Sequence, residues 1–274
     1  MSEAASHGLG SPETDLKDFL LTDIVESIPL RIVVFSGKGG VGKTTVAVNL
    51  AHALGQSGRT VGLLDADITG PNVLQMMGIN EAARGTGERI LPHEKGGVRV
   101  ISLASMLPAN APVIMRGPMR SKVIEQLLTE TEWADTDTLV VDLPPGTGDE
   151  VLTIAQRMAP QIGVIVSTPQ AVARSDAGRA VGFAKKLQIP RIEMIENMSG
   201  FVCPHCGQAI DLFGEGNGPA LASQHGVGFL GALPIDPQAP TDGDTGCLIM
   251  RDRPESPVAK GIAAFAGRLL ESES

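Results

Sequence analysis

The sequence predicts one α/β domain: a mostly parallel, twisted sheet of about seven strands with helices on both faces. Three observations carry that prediction. From residue 30 onward, apolar runs of four to seven residues alternate with longer segments of helical period, the pattern of strand–helix–strand units. The chain holds 33 glycines and 19 prolines without a repeat, which suits many tight turns between regular elements. Its 274 residues, 42 % of them hydrophobic, suffice for one large core, and no long linker or internal repeat divides them.

The domain is expected over residues 29–274, behind a polar tail at 1–28 that carries a short helix over 18–27. Strands are predicted at 30–36, 60–65, 98–103, 138–143, 163–167, 191–196 and 228–233. The first, fourth and fifth are almost wholly apolar, as strands covered on both faces must be. Helices are predicted between and after them, at 43–56, 120–131, 150–158, 172–187, 219–225 and 258–270. In such a sheet ligands sit at the carboxyl ends of the strands.

Composition excludes several classes. The formal charge is −9, and seven Phe, one Trp and no Tyr leave little to stack bases on, so nucleic acid is not an expected partner. No apolar run approaches the ~18 residues of a membrane span. The last helix carries Val258, Ile262, Phe265 and Leu269 but only Lys260 and Arg268 as basic residues, then Glu271 and Glu273. That pattern docks on a core rather than on a membrane surface. The N-terminus has acidic Glu3, Glu13 and Asp15 and no apolar centre, unlike a signal or transit peptide, so a cytoplasmic location is expected. Three cysteines rule out a disulfide scaffold.

The first strand runs into Ser36-Gly37-Lys38-Gly39-Gly40-Val41-Gly42-Lys43-Thr44-Thr45, a P-loop followed by a helix. Its glycines let successive N–H groups turn inward toward phosphate oxygens. Lys43 has the place of the lysine that reaches the β- and γ-phosphates, and Thr44 that of the hydroxyl on Mg²⁺. The second strand ends in Asp65-Ala66-Asp67, two carboxylates able to hold Mg²⁺ and orient a water. The fourth is an apolar run ending in Asp142, a Walker B element linked to Mg²⁺, followed by the Pro144-Pro145-Gly146-Thr147-Gly148 switch-like loop. Asn197 ends the sixth strand, and Pro234-Ile235-Asp236 follows the last; these residue types are also ordinary turn formers.

Just after Asn197 stands Cys203-Pro204-His205-Cys206-Gly207, a knuckle that can aim two thiolates at one metal. The chain has no second pair. Three readings follow: half of a zinc or iron–sulfur site completed by another subunit, a redox dithiol, or two small buried hydrophobes.

Gly-Lys-Gly-Gly-Val-Gly-Lys-Thr resembles the deviant Walker A signature of the MinD/ParA superfamily of ATPases. The resemblance implies an ATP-sandwich homodimer in which Lys38 crosses to the partner's nucleotide. It also implies that Asp67 positions the attacking water, that Asp65 supports the metal shell, that Asn197 recognises adenine, and that Pro234 and Asp236 close the base pocket. Together with 115–119, 142–149 and 197–201 before the cysteine knuckle, the chain resembles the Mrp/ApbC family of iron–sulfur cluster carriers over about residues 30–250. That implies a homodimeric ATPase holding a labile bridging [4Fe–4S] cluster on Cys203 and Cys206, taken from a cluster donor and passed to apo-proteins. Two features depart from the family: Met115 stands where Trp is frequent, and Cys247, read as a structural thiol, stands where cysteine is unusual. Two other readings of the same motifs are a MinD/ParA-like positioning ATPase and a zinc-stapled regulatory ATPase.

Overall fold

The computed structural model describes residues 24–271 apart from 25, 86, 88, 107–116, 204 and 215. Residues 1–23 of the expected tail, together with Met115 and Pro204, lie outside them; Ile24, Glu26 and Ser27 are helical. The central strand β1 (Leu30–Phe35) is buried at all six positions. Its side chains alternate between two cores, as the two-residue period of a strand requires. Ile32 and Val34 join one apolar cluster, and Val33 and Phe35 join the other. A strand with a core on each face can have no polar side, which is why its sequence is continuously apolar.

The sheet has eight strands. With β2 (Val61–Asp65), β5 (His93–Lys95), β6 (Val98–Ser102), β7 (Thr138–Asp142), β8 (Ile162–Ser167), β9 (Arg191–Glu196) and β12 (Gly228–Ala232), the order is β12-β9-β8-β1-β7-β2-β6-β5. Every neighbouring pair is parallel except β5–β6. All the expected strands are present, and β5 is the addition. It is a charged His-Glu-Lys edge that folds onto β6 through Gly96 and Gly97, both at positive φ, and so has no hydrophobic signature to read. Two small ribbons stand apart: β3 (Arg84–Gly85) with β4 (Ile90–Leu91), and β10 (Phe201–Val202) with β11 (Ala209–Ile210).

One face of the sheet is covered by α1 (Lys43–Gln56), α2 (Val73–Met76), α8 (Ile249–Asp252) and α9 (Pro257–Glu271), through Leu50, Leu54, Val73, Ile249, Ile262 and Phe265. The other is covered by α3 (Gly117–Glu130), α4 (Asp149–Met158), α5 (Ala171–Lys186) and α6 (Gly218–His225), through Leu127, Ile154, Val181 and Leu221. Each such buried side chain contributes about 1.5–3 kcal/mol. The docked face of α9 contains Val258, Ile262, Phe265 and Leu269, as its pattern predicts. A short α7 (Ala239–Thr245) was not predicted; its Pro-Thr-Asp-Gly-Asp-Thr sequence reads as a turn. No helix among the described residues is long and apolar enough to cross a membrane.

Parallel strands put all their carboxyl ends on one edge. The segments after β1, β2, β7, β9 and β12 therefore converge there, and main-chain bonds lock them together. Ala66 N–H donates to Asp142 O (3.0 Å), Leu143 N–H to Val34 O (3.0 Å) and Gly146 N–H to Ser36 O (3.1 Å).

Candidate functional site

The loop 36–42 joins β1 to α1. Gly42, the N-cap of α1, has φ 84° and ψ 24°, and a Cβ there would lie 2.2 Å from Asn197 Nδ2. Glycine is thus required by both dihedral and space. Gly37 is required by space alone, since its Cβ would lie 2.2 Å from the main-chain oxygen of Asp176. Ser36 Oγ donates to Lys38 O (2.7 Å) and Asn197 Nδ2 donates to Val41 O (2.9 Å). The helix that follows has no side-chain cap. Its first-turn N–H groups and positive dipole end, with Gly39, Gly40, Gly42, Lys43, Thr44 and Thr45 lining the adjacent cavity, form a setting for an anion such as a phosphate.

Beside the loop, Lys43 Nζ lies 2.6 Å from Asp142 Oδ1, with the two side chains only 7 % and 1 % exposed. Thr44 Oγ1 donates to Asp142 Oδ2 at 2.7 Å. The buried Asp65 accepts from Asp67 N–H (3.1 Å) and Ser102 Oγ (3.1 Å). Burial, reinforced by the neighbouring Asp142 charge, pushes the Asp65 carboxyl up to about 8. Burial also raises Asp142, while the Lys43 ammonium and the Thr44 hydroxyl oppose that rise. Asp67, half-buried, accepts from Thr69 Oγ1 (2.8 Å) and Gly70 N–H (3.2 Å), a turn that fixes its carboxylate at the cavity wall. Thr44 Oγ1 and Asp142 are held together beside the loop, with Asp67 on the cavity wall, as hard oxygen donors. Such a set fits a hard divalent cation such as Mg²⁺.

The cavity extends from this charged end for about 690 Å³. Asn197, Pro234 and Asp236 all line it, as do Lys38 and Asp67, whereas Gly37, Val41, Asp65 and Asp142 of the expected set do not. Asn197 does more than border the cavity, because its amide nitrogen holds the phosphate loop. Asp236 is pinned by Arg253 Nη2 at 2.6 Å, and the same guanidinium pairs with Asp242. Lys38 is turned onto its own chain, donating to Gln170 Oε1 at 3.0 Å.

Cys203 and Cys206 occupy the turn of the β10–β11 hairpin. Cys203 N–H donates to Gln208 O (2.9 Å) and Gly207 N–H to Cys203 O (2.8 Å), closing the knuckle. Cys206 is exposed and Cys203 half-exposed, which sets aside the buried-hydrophobe reading. Hydrogen bonds from the Cys206 and His205 main-chain N–H groups, and from the Cys206 side chain, hold the Cys203 thiol below its ordinary value. Cys247 differs: burial and the adjacent Asp242 and Asp252 push its thiol up to about 11. Among the described residues no group of three or more His, Cys, Asp and Glu side chains is placed to hold a metal ion.

Several contributors have no motif to announce them. Glu196, buried at the end of β9, accepts from Ser199 Oγ (2.7 Å) and from Asn217 N–H (3.0 Å), tying both ends of the cysteine segment to the sheet. Its place beside Asn197 at a strand end was the available signal. Gln170, Ser102, Arg253, Leu212 and Phe213 join the site from places distant in sequence from the residues they meet there.

Comparison with known proteins agrees with this geometry. The family described as ParA: NUBPL iron-transfer P-loop NTPase matches residues 27–270. The iron-sulfur cluster carrier protein of Pyrococcus horikoshii is 45 % identical over 252 residues, covering 88 % of this chain and 85 % of that one. The iron-sulfur cluster transfer protein NUBPL of Dictyostelium discoideum is 42 % identical over 250 residues, covering 90 % and 77 %. A nucleotide-binding protein of Archaeoglobus fulgidus, solved in complex with ADP, superposes with TM-score 0.75 at 34 % identity, over 84 % of this chain and 92 % of that one. The cell division ATPase MinD of Pyrococcus furiosus shares the fold, with TM-score 0.68 at 22 % identity over 90 % and 100 %. The phosphate loop, the strand-end carboxylates and the cysteine hairpin all fall within the matched span, and the chain belongs to the ParA/NUBPL family of iron-transfer P-loop NTPases.

Proposed function

We propose that this chain is an ATP-hydrolysing iron–sulfur cluster carrier that works as a homodimer. One observation carries the reading: the thiol pair and the nucleotide cavity share a hydrogen-bonded frame. Ser199 N–H donates to Leu233 O (2.8 Å), and Ile235 N–H donates to Gly200 O (2.8 Å). The root of the cysteine hairpin is therefore bonded directly to the segment that carries Pro234 and Asp236. A change at the cavity has a short covalent and hydrogen-bonded route to the thiolates.

In this reading the loop N–H groups and Lys43 hold the ATP phosphates, Asn197, Pro234 and Asp236 border the base, and Asp67 orients the attacking water. Thr44 and Asp142, supported by Asp65, would hold Mg²⁺, which supplies charge neutralisation at the phosphates. Lys38, released from Gln170, reaches the nucleotide of a partner subunit and neutralises charge there as an arginine finger does. The cargo is a [4Fe–4S] cluster bridging two copies, because each chain brings one hairpin pair, Cys203 and Cys206, and such a cluster is held by four thiolates. A cluster donor loads it and apo-proteins receive it.

Anaerobic reconstitution with iron and sulfide tests the reading. Wild type is expected to take up iron and sulfide and to show a visible cluster chromophore, and Cys203→Ala/Cys206→Ala to show none. A chromophore surviving the double replacement, or stoichiometric zinc without cluster uptake in wild type, overturns the proposal.

A further inference from the structure

The β10–β11 hairpin does more than present two cysteines. Just after β11 the chain passes Leu212 and Phe213, and both line the same cavity as the phosphate loop, a cavity whose wall also includes Leu233, Pro234 and Ile235. Leu212 is 56 % exposed and Phe213 37 % exposed, large apolar surfaces that stand at the cavity rim. A turn closes over the pair, and the chain beyond it is held by the sheet. Gly214 N–H donates to Asp211 O (3.3 Å), and Glu196 holds Asn217 N–H where α6 begins. The pair is therefore the point at which the cysteine-bearing ribbon itself, rather than its root, meets the cavity. In a cavity whose loop residues suit phosphates, an aromatic ring and an aliphatic side chain on the wall are suited to a purine.

We propose that Leu212 and Phe213 are the nucleotide-contacting residues of the cysteine hairpin, packing on the purine of a bound nucleoside di- or triphosphate, so that nucleotide occupancy sets the position of Cys203 and Cys206. The inference rests on the carrier reading only for what the cysteines hold. It names the side chains through which the nucleotide acts on them.

The test uses the full chain with Mg·ADP as the probe, in a Cys247→Ser background so that only the two hairpin thiols report. Binding of ADP to Leu212→Ala/Phe213→Ala is expected to be about tenfold weaker than to the parent, toward the low end of what loss of one base–aromatic contact costs. Phe213→Trp is expected to keep the parent's affinity, and its emission to change on adding ADP. The native Trp133 is 7 % exposed and does not line the cavity, so it contributes a constant background. Mg·ADP is expected to slow iodoacetamide alkylation of Cys203 and Cys206 several-fold in the parent and to leave the rate unchanged in the double variant. Affinity of the double variant within twofold of the parent, tryptophan emission indifferent to ADP, or alkylation in the parent indifferent to ADP each overturns the inference. Protection by ADP in a protein that takes up no cluster sustains this inference and removes the carrier reading. Cluster uptake with no effect of ADP on alkylation does the reverse.

Discussion

Replacing Lys43 with alanine tests the electrostatics of the site without any nucleotide. The ammonium lies 2.6 Å from Asp142 Oδ1, and both side chains are nearly out of water. Asp65, equally buried, adds a second carboxyl whose interaction with Asp142 raises its own affinity for a proton. Removing one partner of a buried pair costs about 3–5 kcal/mol, because the other charge is left unsolvated. For a domain of this size that corresponds to a fall in Tm on the order of 10 °C. Asp142 can escape part of the cost by taking up a proton, and this fixes the sign of the pH dependence. With Lys43 gone the folded-state pKa of Asp142 rises further above the unfolded value of about 3.9, so the folded state gains protons relative to the unfolded one. The deficit of Lys43→Ala against wild type is thus smallest near pH 4 and grows as pH rises. Urea unfolding of wild type, Lys43→Ala and Lys43→Ala/Asp142→Asn at pH 5 and pH 8 measures it. A deficit under about 1 kcal/mol at pH 8, or one no smaller at pH 5, refutes the reasoning, as does failure of the added Asp142→Asn to recover stability at pH 8.

Two further outcomes follow from the same geometry. The Asp65 carboxyl, raised from 3.8 to about 8 in the folded state, favours folding most below pH 4, and that contribution is lost as pH climbs through 8. Asp65→Asn is therefore expected to flatten the decline in urea midpoint between pH 5 and pH 8, and an unchanged slope would contradict the assignment. Gly37→Ala puts a methyl 2.2 Å from the Asp176 carbonyl oxygen, so loop and α5 must separate. ADP affinity is expected to drop at least tenfold while Tm moves only a few degrees; calorimetric titration showing wild-type binding would sink that account.

Much of the fold was legible because doubly covered strands must be apolar throughout and the helices between them keep a periodic face. The parallel strands came out at the expected places for that reason. The edge strand β5 and helix α7 were invisible for the opposite one. His-Glu-Lys pairs on one side only and buries little, and Ala239–Thr245 is built from residues that favour turns, held instead by packing and by the Arg253 pairs with Asp236 and Asp242. Asn197 shows a subtler limit. The family resemblance marked it as a site residue, but its bond to Val41 O, which makes it a brace for the phosphate loop, joins residues 156 positions apart.

The sequence by itself determined the chemistry: a glycine loop with Lys43 and Thr44, carboxylates Asp65, Asp67 and Asp142 at strand ends, and a thiol pair without a second pair. These are short-range patterns, in which spacing along the chain dictates local geometry. Only the tertiary structure decided how the parts are coupled. The frame linking Ser199 and Gly200 to Leu233 and Ile235 depends on β9 and β12 lying side by side. That neighbourhood is set by burial of their apolar faces in the common core, and no local pattern encodes it.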